Sequence, residues 1–316
     1  MSEPQQTVQD TPRVGALVIN FNGKDVTLQT LESLAQLEYQ PLDLVVIDNG
    51  STDGSRLAIA ERFPQVTQLE VRENHGISHG MNVGLRHALE EGYDYTLILN
   101  NDIEVDSAMV TEMVTLAESD LTIGAVGPKA FYYGDRERLW STGGILRWAE
   151  SVTNERGDQE LDRGQYDRDE EVDYVNGCAM LVRREALERT GFWDATYFLG
   201  VEDADWCVRM KQQGFTCWYA HRAKLWHMIS HSTGVYKPFR TFQTGRSTAI
   251  FVRKFAGPLG WLRFLVLGAL AIPAAFLREL PKGNQKAAIE KLRGYFDGLR
   301  VPIPDQPAVT SPEAGS

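Results

Sequence analysis

Residues 42–55 read LDLVVIDNGSTDGS, and this stretch decides the fold. Leu42–Asp48 is rich in Leu, Val and Ile, ends on an acid, and runs into a turn of Gly, Ser and Asp. A near-continuous apolar run suits a strand buried on both faces, as in parallel sheets covered by helices. The same pattern recurs on either side. Val14–Asn20, Gln65–Val71 and Tyr95–Asn100 read as strands of this kind. Between them, Leu28, Leu31, Leu34 and Ala35, then Ile77, Met81, Leu85 and Ala88, recur at helical spacing. Strand and helix in alternation predict an α/β fold with a mainly parallel central sheet and helices on both faces. Ligands of such sheets bind beyond the carboxyl ends of the strands.

Those ends hold the informative residues. Asn20-Phe21-Asn22-Gly23 follows the first strand, and Asp48-Asn49-Gly50-Ser51-Thr52-Asp53-Gly54 follows the second. An acid such as Asp48, ending a buried strand, can accept hydrogen bonds from a base N–H or a ribose hydroxyl. Helix capping explains Thr52 or Asp53 better than it explains Asp48. Asn74-His75-Gly76, with Gly80, Asn82 and Gly84, opens a helix whose glycines would let backbone N–H groups approach a phosphate. Helix packing is the commoner use of such glycines, and the spacing is not the G-x-G-x-x-G of a dinucleotide fold.

The fourth strand ends in Asn100-Asn101-Asp102. Oxygen-bearing side chains at Asn100 and Asp102 suit Mg²⁺ or Mn²⁺ bridging a diphosphate, with a polar turn as the equal alternative. Further on stands Gly200-Val201-Glu202-Asp203-Ala204-Asp205-Trp206. On a helix, Asp203 and Asp205 point about 200° apart and cannot share one task. Asp203 can take a proton from an acceptor hydroxyl, and Trp206, three residues on, can stack on a sugar ring. Acids at a helix N-terminus also simply favour its dipole. His227, and more weakly His231, are candidate metal ligands.

The remainder sorts by composition. Residues 1–12 read as a disordered lead-in with no signal peptide, 13–235 as the catalytic domain, 236–302 as a basic apolar helical extension, and 303–316 as a disordered tail. Within the catalytic domain, 134–173 reads as a surface insertion with a hairpin, and Asp173–Arg183 as a strand pair around Asn176-Gly177. Asp203–Gln213 follows as a helix ended by Gly214, and 216–220 as one more strand. Three cysteines in no paired spacing point to a reducing compartment. The net charge of −11 divides into −18 over residues 1–235, +9 over 236–300, where only Glu279, Glu290 and Asp297 are acidic, and −2 from Asp305 and Glu313 beyond. Phe264–Leu277 carries no charge for 14 residues. At 1.5 Å per residue it covers roughly 21 Å, short of the ~30 Å hydrocarbon core. Flanked by Arg253, Lys254 and Arg263 before and Arg278, Lys282 and Lys286 after, it suits a helix lying in an anionic membrane surface. A helix packed on the body, or a hairpin dipping into the bilayer, stays open.

In order, the motifs VINFNG (18–23), VIDNGSTDGS (46–55), NHGISHGMNVG (74–84), LILNND (97–102), VNGCAMLVRREAL (175–187) and FLGVEDADWCVRMKQQG (198–214) resemble the inverting glycosyltransferases of family 2, which have the GT-A fold. The resemblance spans roughly residues 13–235 and is similar to bacterial rhamnosyltransferase-like members. It implies a nucleoside-diphosphate sugar donor, possible as deoxythymidine-linked rhamnose or a uridine-linked sugar, and a glycan or lipid-linked acceptor. On the donor side it implies Asn20, Asn22, Asp48, Asn74, Gly76, Asn82, Asn100 and Asp102, with Asp48 on the base. It further implies Asp203 as catalytic base, Asn176, Gly177, Glu202 and Trp206 near the acceptor, and Mg²⁺ or Mn²⁺ on Asp102 and His227. Many relatives carry Asp-x-Asp where this chain has Asn100-Asn101-Asp102, which places more of the metal's hold on phosphates and His227. Gln243-Thr244-Gly245-Arg246 is followed by Ser247 rather than the Trp of processive synthases, which favours single-sugar addition. The expected setting is the cytoplasmic face of the cell membrane, with no nucleic-acid partner and no oligomeric state specified. A sugar-nucleotide pyrophosphorylase and a non-catalytic carbohydrate-binding scaffold are the alternatives.

Overall fold

The computed structural model describes residues 11–148, 152–228, 238–282 and 285–303. Residues 1–10, 304–316 and His231, on which parts of the sequence reading fall, lie outside them. The first half alternates as expected: β1 (Val14–Asn20), α1 (Lys24–Leu34), β2 (Leu42–Asp48), α2 (Ser55–Arg62), β3 (Thr67–Glu70), α3 (Ile77–Glu91) and β4 (Tyr95–Asn100). β1 is central, parallel to β2 on one side and β4 on the other, in a register that sets Asn20 beside Asp48. Alternate side chains of these strands feed two cores. Leu17, Ile19 and Ile47 face Met81 and Leu85 of α3, whereas Ala16, Val18 and Val46 face Leu31, Leu34 and Ile59 of α1 and α2.

β5 (Ile103–Val105) and α4 (Met109–Ser119) lead into β6 (Ile123–Tyr132), which turns back as β7 (Asp135–Ser141). The insertion then makes a separate two-stranded sheet from β8 (Gly144–Leu146) and β9 (Thr153–Glu155), followed by the short β10 (Glu170–Glu171). Buried Lys129 on β6 donates to Asp162 at 3.0 Å and pairs with Asp167, which pins this excursion to the sheet.

The expected strand pair over 173–183 is a single strand, β11 (Ala179–Arg183), antiparallel to β4. Its first half cannot pair in a ladder, because Asn176–Cys178 is a turn. The Asn176 side chain accepts from the Cys178 N–H at 2.8 Å, and the Gly177 N–H is taken by Asp203. α5 (Arg184–Thr190) and α6 (Glu202–Gln212) follow, and then β12 (Thr216–His227), seven residues longer than its expected end at 220. A register shift between Ala220 and Lys224 lets β12 continue along β6, with Ala223 and Leu225 fully buried. Its last residues pair with β5, so His227 lies opposite Ile103. The sheet order is β10-β12-β6-β11-β4-β1-β2-β3, parallel from β4 through β3 and mixed beyond.

Three helices complete the described chain: α7 (Pro238–Phe255), α8 (Pro258–Glu279) and α9 (Gln285–Gly298). α7 packs on the body, with Ala249, Ile250, Phe251 and Val252 fully buried in the same core as α3 and α6. α8 differs. Leu259, Leu262, Leu265, Val266, Leu270 and Leu277 are each more than half exposed. Among the described residues, no helix is long and apolar enough to cross a membrane.

Candidate active site

The loops after β1, β2 and β4 form an open cleft of about 400 Å³ lined by Asn22, Lys24, Asp53, Asn101 and Asp102, with Phe21 on its wall. Asn20 stands beneath it and is fully buried. Its Nδ2 lies 2.9 Å from Ser55 Oγ, 3.2 Å from Ser51 Oγ and 3.3 Å from Asp48 Oδ2. Its Oδ1 accepts from Thr27, Gly23 and Asn101. The polar atoms of Asn20 are used in joining the loops.

Asp48 is tied into the same joint. It is 2% exposed, and its carboxylate accepts from the Ser51 N–H at 2.8 Å as well as facing Asn20. These bonds shape the loop that follows β2. Asn22 does reach the cleft wall, in a left-handed conformation (φ 51°), and its Oδ1 accepts from the Thr52 N–H at 2.7 Å. Asp53 accepts from the backbone N–H groups of Lys24 and Ser55. Burial works against its charge, but the hydrogen bonds from Ser55 and Lys24 outweigh it and hold this carboxyl below its ordinary range.

At the entrance of α3 the packing use of the glycines prevails. A Cβ on Gly76 would lie 2.7 Å from the Phe198 carbonyl oxygen, and that oxygen accepts the Ile77 N–H at 2.9 Å. Gly80 lies against Asn49, and Gly84 against Ile47 and Leu17. Asn74 accepts from the Gly76 N–H at 2.9 Å, and Asn82 clamps the backbone of Trp193, donating to its O at 2.8 Å and accepting from its N at 3.0 Å. Asn74, Gly76 and Asn82 thus build the wall between α3 and the 190s segment.

Asn100 and Asp102 stand half-buried at the end of β4. Pairing of β12 with β5 carries His227 alongside, and its Nε2 lies 3.1 Å from Asp102 Oδ1. His227 Nδ1 is buried with no hydrogen-bond partner, and the Trp140 ring meets the imidazole edge-on at 4.5 Å. Among the described residues no group of three or more His, Cys, Asp or Glu gathers to hold an ion. One carboxylate and one imidazole still fit a cation that takes its remaining ligands from phosphate and water, the usual habit of Mg²⁺.

The turn 176–178 links this corner to α6. The Cys178 carbonyl accepts the Asn100 N–H at 3.0 Å, while the Gly177 N–H donates to Asp203 Oδ2 at 2.8 Å. Asp203 Oδ1 accepts from the Ala204 N–H at 2.7 Å. Val201, immediately ahead, is held at φ 66°, a region β-branched residues rarely occupy. Burial pushes the Asp203 carboxyl up despite these two N–H donors, and the charge of Glu155 adds to the shift. Glu202 is 6% exposed, and its Oε2 has no partner. Burial and then the charge of Asp203 push its carboxyl up as well.

Glu155 escaped the sequence reading, because it sits in an acidic stretch with nothing to mark it. Its Oε1 accepts from Tyr174 at 2.7 Å and from Asn176 at 3.0 Å, so the insertion supplies a third carboxylate to this corner. Lys24, Asp53 and Asn101 were likewise passed over as candidates, although each lies in or beside one of the three strand-end segments already singled out.

Trp206 requires the plainest correction. It is fully buried, its Nε1 donates to the Gly191 carbonyl at 2.7 Å, and its ring meets Trp193 edge-on. Asp203 is half-buried in the first turn of α6, whereas Trp206, one turn on, is fully buried beneath the 190s segment and cannot stack on a sugar.

A parallel sheet whose strand-end loops enclose a polar cleft suits a nucleotide-linked ligand, and comparison with known proteins makes this chain a glycosyltransferase. The family model described as glycosyl transferase family 2 matches residues 16–191, more than half of the chain, and the chain belongs to that family. It is 26% identical over 271 residues to N-acetylglucosaminyl-diphospho-decaprenol L-rhamnosyltransferase of Mycobacterium tuberculosis, covering 77% of this chain and 85% of the relative. It is 21% identical over 266 residues to dTDP-rhamnosyl transferase RfbF of Shigella flexneri, covering 77% and 81%. Among solved structures, mannosyltransferase PcManGT from Pyrobaculum calidifontis, in complex with GDP-Man and Mn²⁺, shares the fold at TM-score 0.59 and 18% identity, over 92% of this chain and 88% of that one. GalNAc-T7 with UDP, GalNAc and Mn²⁺ does so at 0.62 and 14%, over 78% and 48%.

Truncating a fully buried aromatic removes its packing and leaves a cavity. Trp206→Ala should therefore lower the unfolding free energy by roughly 3–5 kcal/mol in denaturant titration. A variant as stable as wild type would return Trp206 to the surface role.

Proposed function

We propose that this protein transfers a single sugar, with inversion, from a nucleoside-diphosphate sugar to a hydroxyl of a glycan or lipid-linked acceptor. The observation that carries the proposal is the placement of Asp203. Its carboxylate is fixed by the Gly177 N–H on one side of the 176–178 turn, whose other side touches the loop bearing Asp102. A base and a diphosphate corner set around one turn suit an in-line displacement. Asp203 accepts the proton of the acceptor hydroxyl, whose oxygen bonds to the anomeric carbon as that carbon's bond to the diphosphate oxygen breaks from the opposite face. Lys24 supplies a positive charge at the cleft for the diphosphate. Asn176 and Glu155, joined to each other at 3.0 Å, and Glu202 lie where the acceptor arrives. A Mg²⁺ or Mn²⁺ held by Asp102 and His227 together with phosphate oxygens would neutralise the leaving group.

A deoxythymidine-linked rhamnose is the first donor to try and a uridine-linked sugar the second, given the two rhamnosyltransferase relatives. The decaprenol-linked substrate named for the mycobacterial relative supports a lipid-linked acceptor and a role in cell-surface polysaccharide synthesis. The exposed leucines of α8, within a segment of net charge +9, suit contact with the anionic inner face of a membrane.

Three outcomes test these readings. Asp203→Asn should lower turnover by ~10²–10⁴ with donor affinity retained. Because Asp203 must be ionised and its carboxyl is raised, wild-type activity should be full above that raised value and fall as pH drops through it. The acid limb should therefore lie above the ~4 of an ordinary carboxylate. Wild-type turnover by the Asn variant would remove the base assignment. Asp102→Ala should abolish the gain in nucleoside diphosphate affinity that Mn²⁺ brings in calorimetry; an undiminished gain would take the cation away from this residue. Full-length protein should co-sediment with vesicles containing anionic lipid at low salt and release at high salt, and protein that ignores them would rule the membrane contact out.

A further inference from the structure

A second charge cluster lies beneath the proposed base and belongs to no substrate corner. Asp205, two residues past Asp203, is fully buried, and Asp194 is 1% exposed. Lys254 of α7 reaches both carboxylates, donating to Asp194 Oδ2 at 2.8 Å and pairing with Asp205 Oδ2. Asp205 also accepts from Tyr197 OH at 2.9 Å and from Arg209 Nε at 2.7 Å, and Arg209 reaches the Phe192 carbonyl at 2.8 Å. Two carboxylates and two cations balance, which is the condition for keeping such charges out of water.

The same helix grips the same segment twice more. Arg246 donates to the Thr196 carbonyl at 2.6 Å, and Ser247 to the Leu199 carbonyl at 2.9 Å. Ser247 and Lys254, about two turns apart, lie on one face of α7, with Arg246 next to Ser247. Between these anchors, Phe198 is held to the α3 entrance through its carbonyl. The stretch from Asp194 to Asp205, which carries Glu202 and Asp203, is thus splinted from end to end by a helix outside the family-matched residues 16–191.

We propose that Lys254 is a positioning residue: by holding Asp205 and Asp194 together it fixes the first turn of α6, and with it the direction in which Asp203 meets the acceptor. This rests on Asp203 as the base. α7 is then part of the catalytic apparatus, and its loss costs turnover rather than only attachment to a surface.

The test compares Lys254→Met, Lys254→Arg and the charge-balanced pair Lys254→Met with Asp194→Asn in the full chain, well below each melting temperature. Nucleoside diphosphate release from dTDP- and UDP-sugars reads turnover, calorimetry with dTDP and UDP reads donor-site affinity, and amide exchange reads residues 196–205. Turnover should fall at least tenfold in Lys254→Met with nucleotide affinity unchanged, Lys254→Arg should recover part of it, and exchange in 196–205 should quicken. The charge-balanced pair, which removes the surplus negative charge and stays folded if Lys254→Met does not, should remain slow. Wild-type turnover in either Met-bearing protein, or loss that tracks melting temperature and is reversed by Asp194→Asn, overturns the proposal. If the wild-type protein binds neither dTDP nor UDP and releases no nucleotide, the glycosyl-transfer reading is what has failed. The exchange comparison still decides whether Lys254 holds the segment.

Discussion

The loops that make the cleft meet at one buried primary amide, and their mutual placement depends on it. Asn20 closes β1 with both ends of its side chain engaged, the nitrogen toward Asp48, Ser51 and Ser55 and the oxygen toward Gly23, Thr27 and Asn101. A buried polar group left unmatched costs about 1–3 kcal/mol, so these partners hold one another to a single arrangement. Asn101 immediately precedes Asp102, and Asn101 also donates to Thr27 at 2.8 Å. The position of Asp102 is in this way referred to the centre of the sheet rather than left to a surface loop.

Around that frame the electrostatics are unusually one-sided. Asp102, Glu155, Glu202 and Asp203 cluster near the 176–178 turn, and together with burial they act on one another: Cys178 between them is raised first by burial and then by Glu155, Asp102 and Asp203. Negative potential of this kind favours proton acceptance by a buried carboxylate. It also disfavours a diphosphate unless positive charge accompanies it, which on the proposed reading falls to Lys24 and a divalent cation. On that reading the same local field ties the basicity of Asp203 to the charge balance around Asp102.

The strands were legible because β1, β4 and the second half of β2 are buried on both faces and are therefore largely apolar; their ends coincide with the runs read from the sequence. The corner containing Asp102 and His227 was legible as residue types, and their adjacency follows from a β5–β12 pairing that no local pattern announces. Burial was not legible. Asn20, Asp48, Gly76, Asn82 and Trp206 all look like ligand contacts in one dimension, yet each is occupied by the protein itself: Gly76 by Phe198, Asn82 by Trp193, and Trp206 by Gly191. Such partners arrive from distant segments, as do those of Lys254, 49 and 60 residues away. Glu155 was hidden for the opposite reason, being one acid in a stretch of many.

Three glycines give α7 and α9 an unusually intimate contact. A β-carbon at Gly245 would sit 2.1 Å from the Lys291 carbonyl oxygen, one at Gly294 2.0 Å from that of Phe242, and one at Gly298 2.3 Å from that of Arg246. Main chain lies directly on main chain, so neither helix can roll or slide against the other without collision. Arg246 sits within this seam and grips Asp297 on one side and Thr196 on the other. Arg246 thus joins the helix seam to the stretch leading into α6, and a methyl group added at any of the three glycines would force the helices apart and shift that junction.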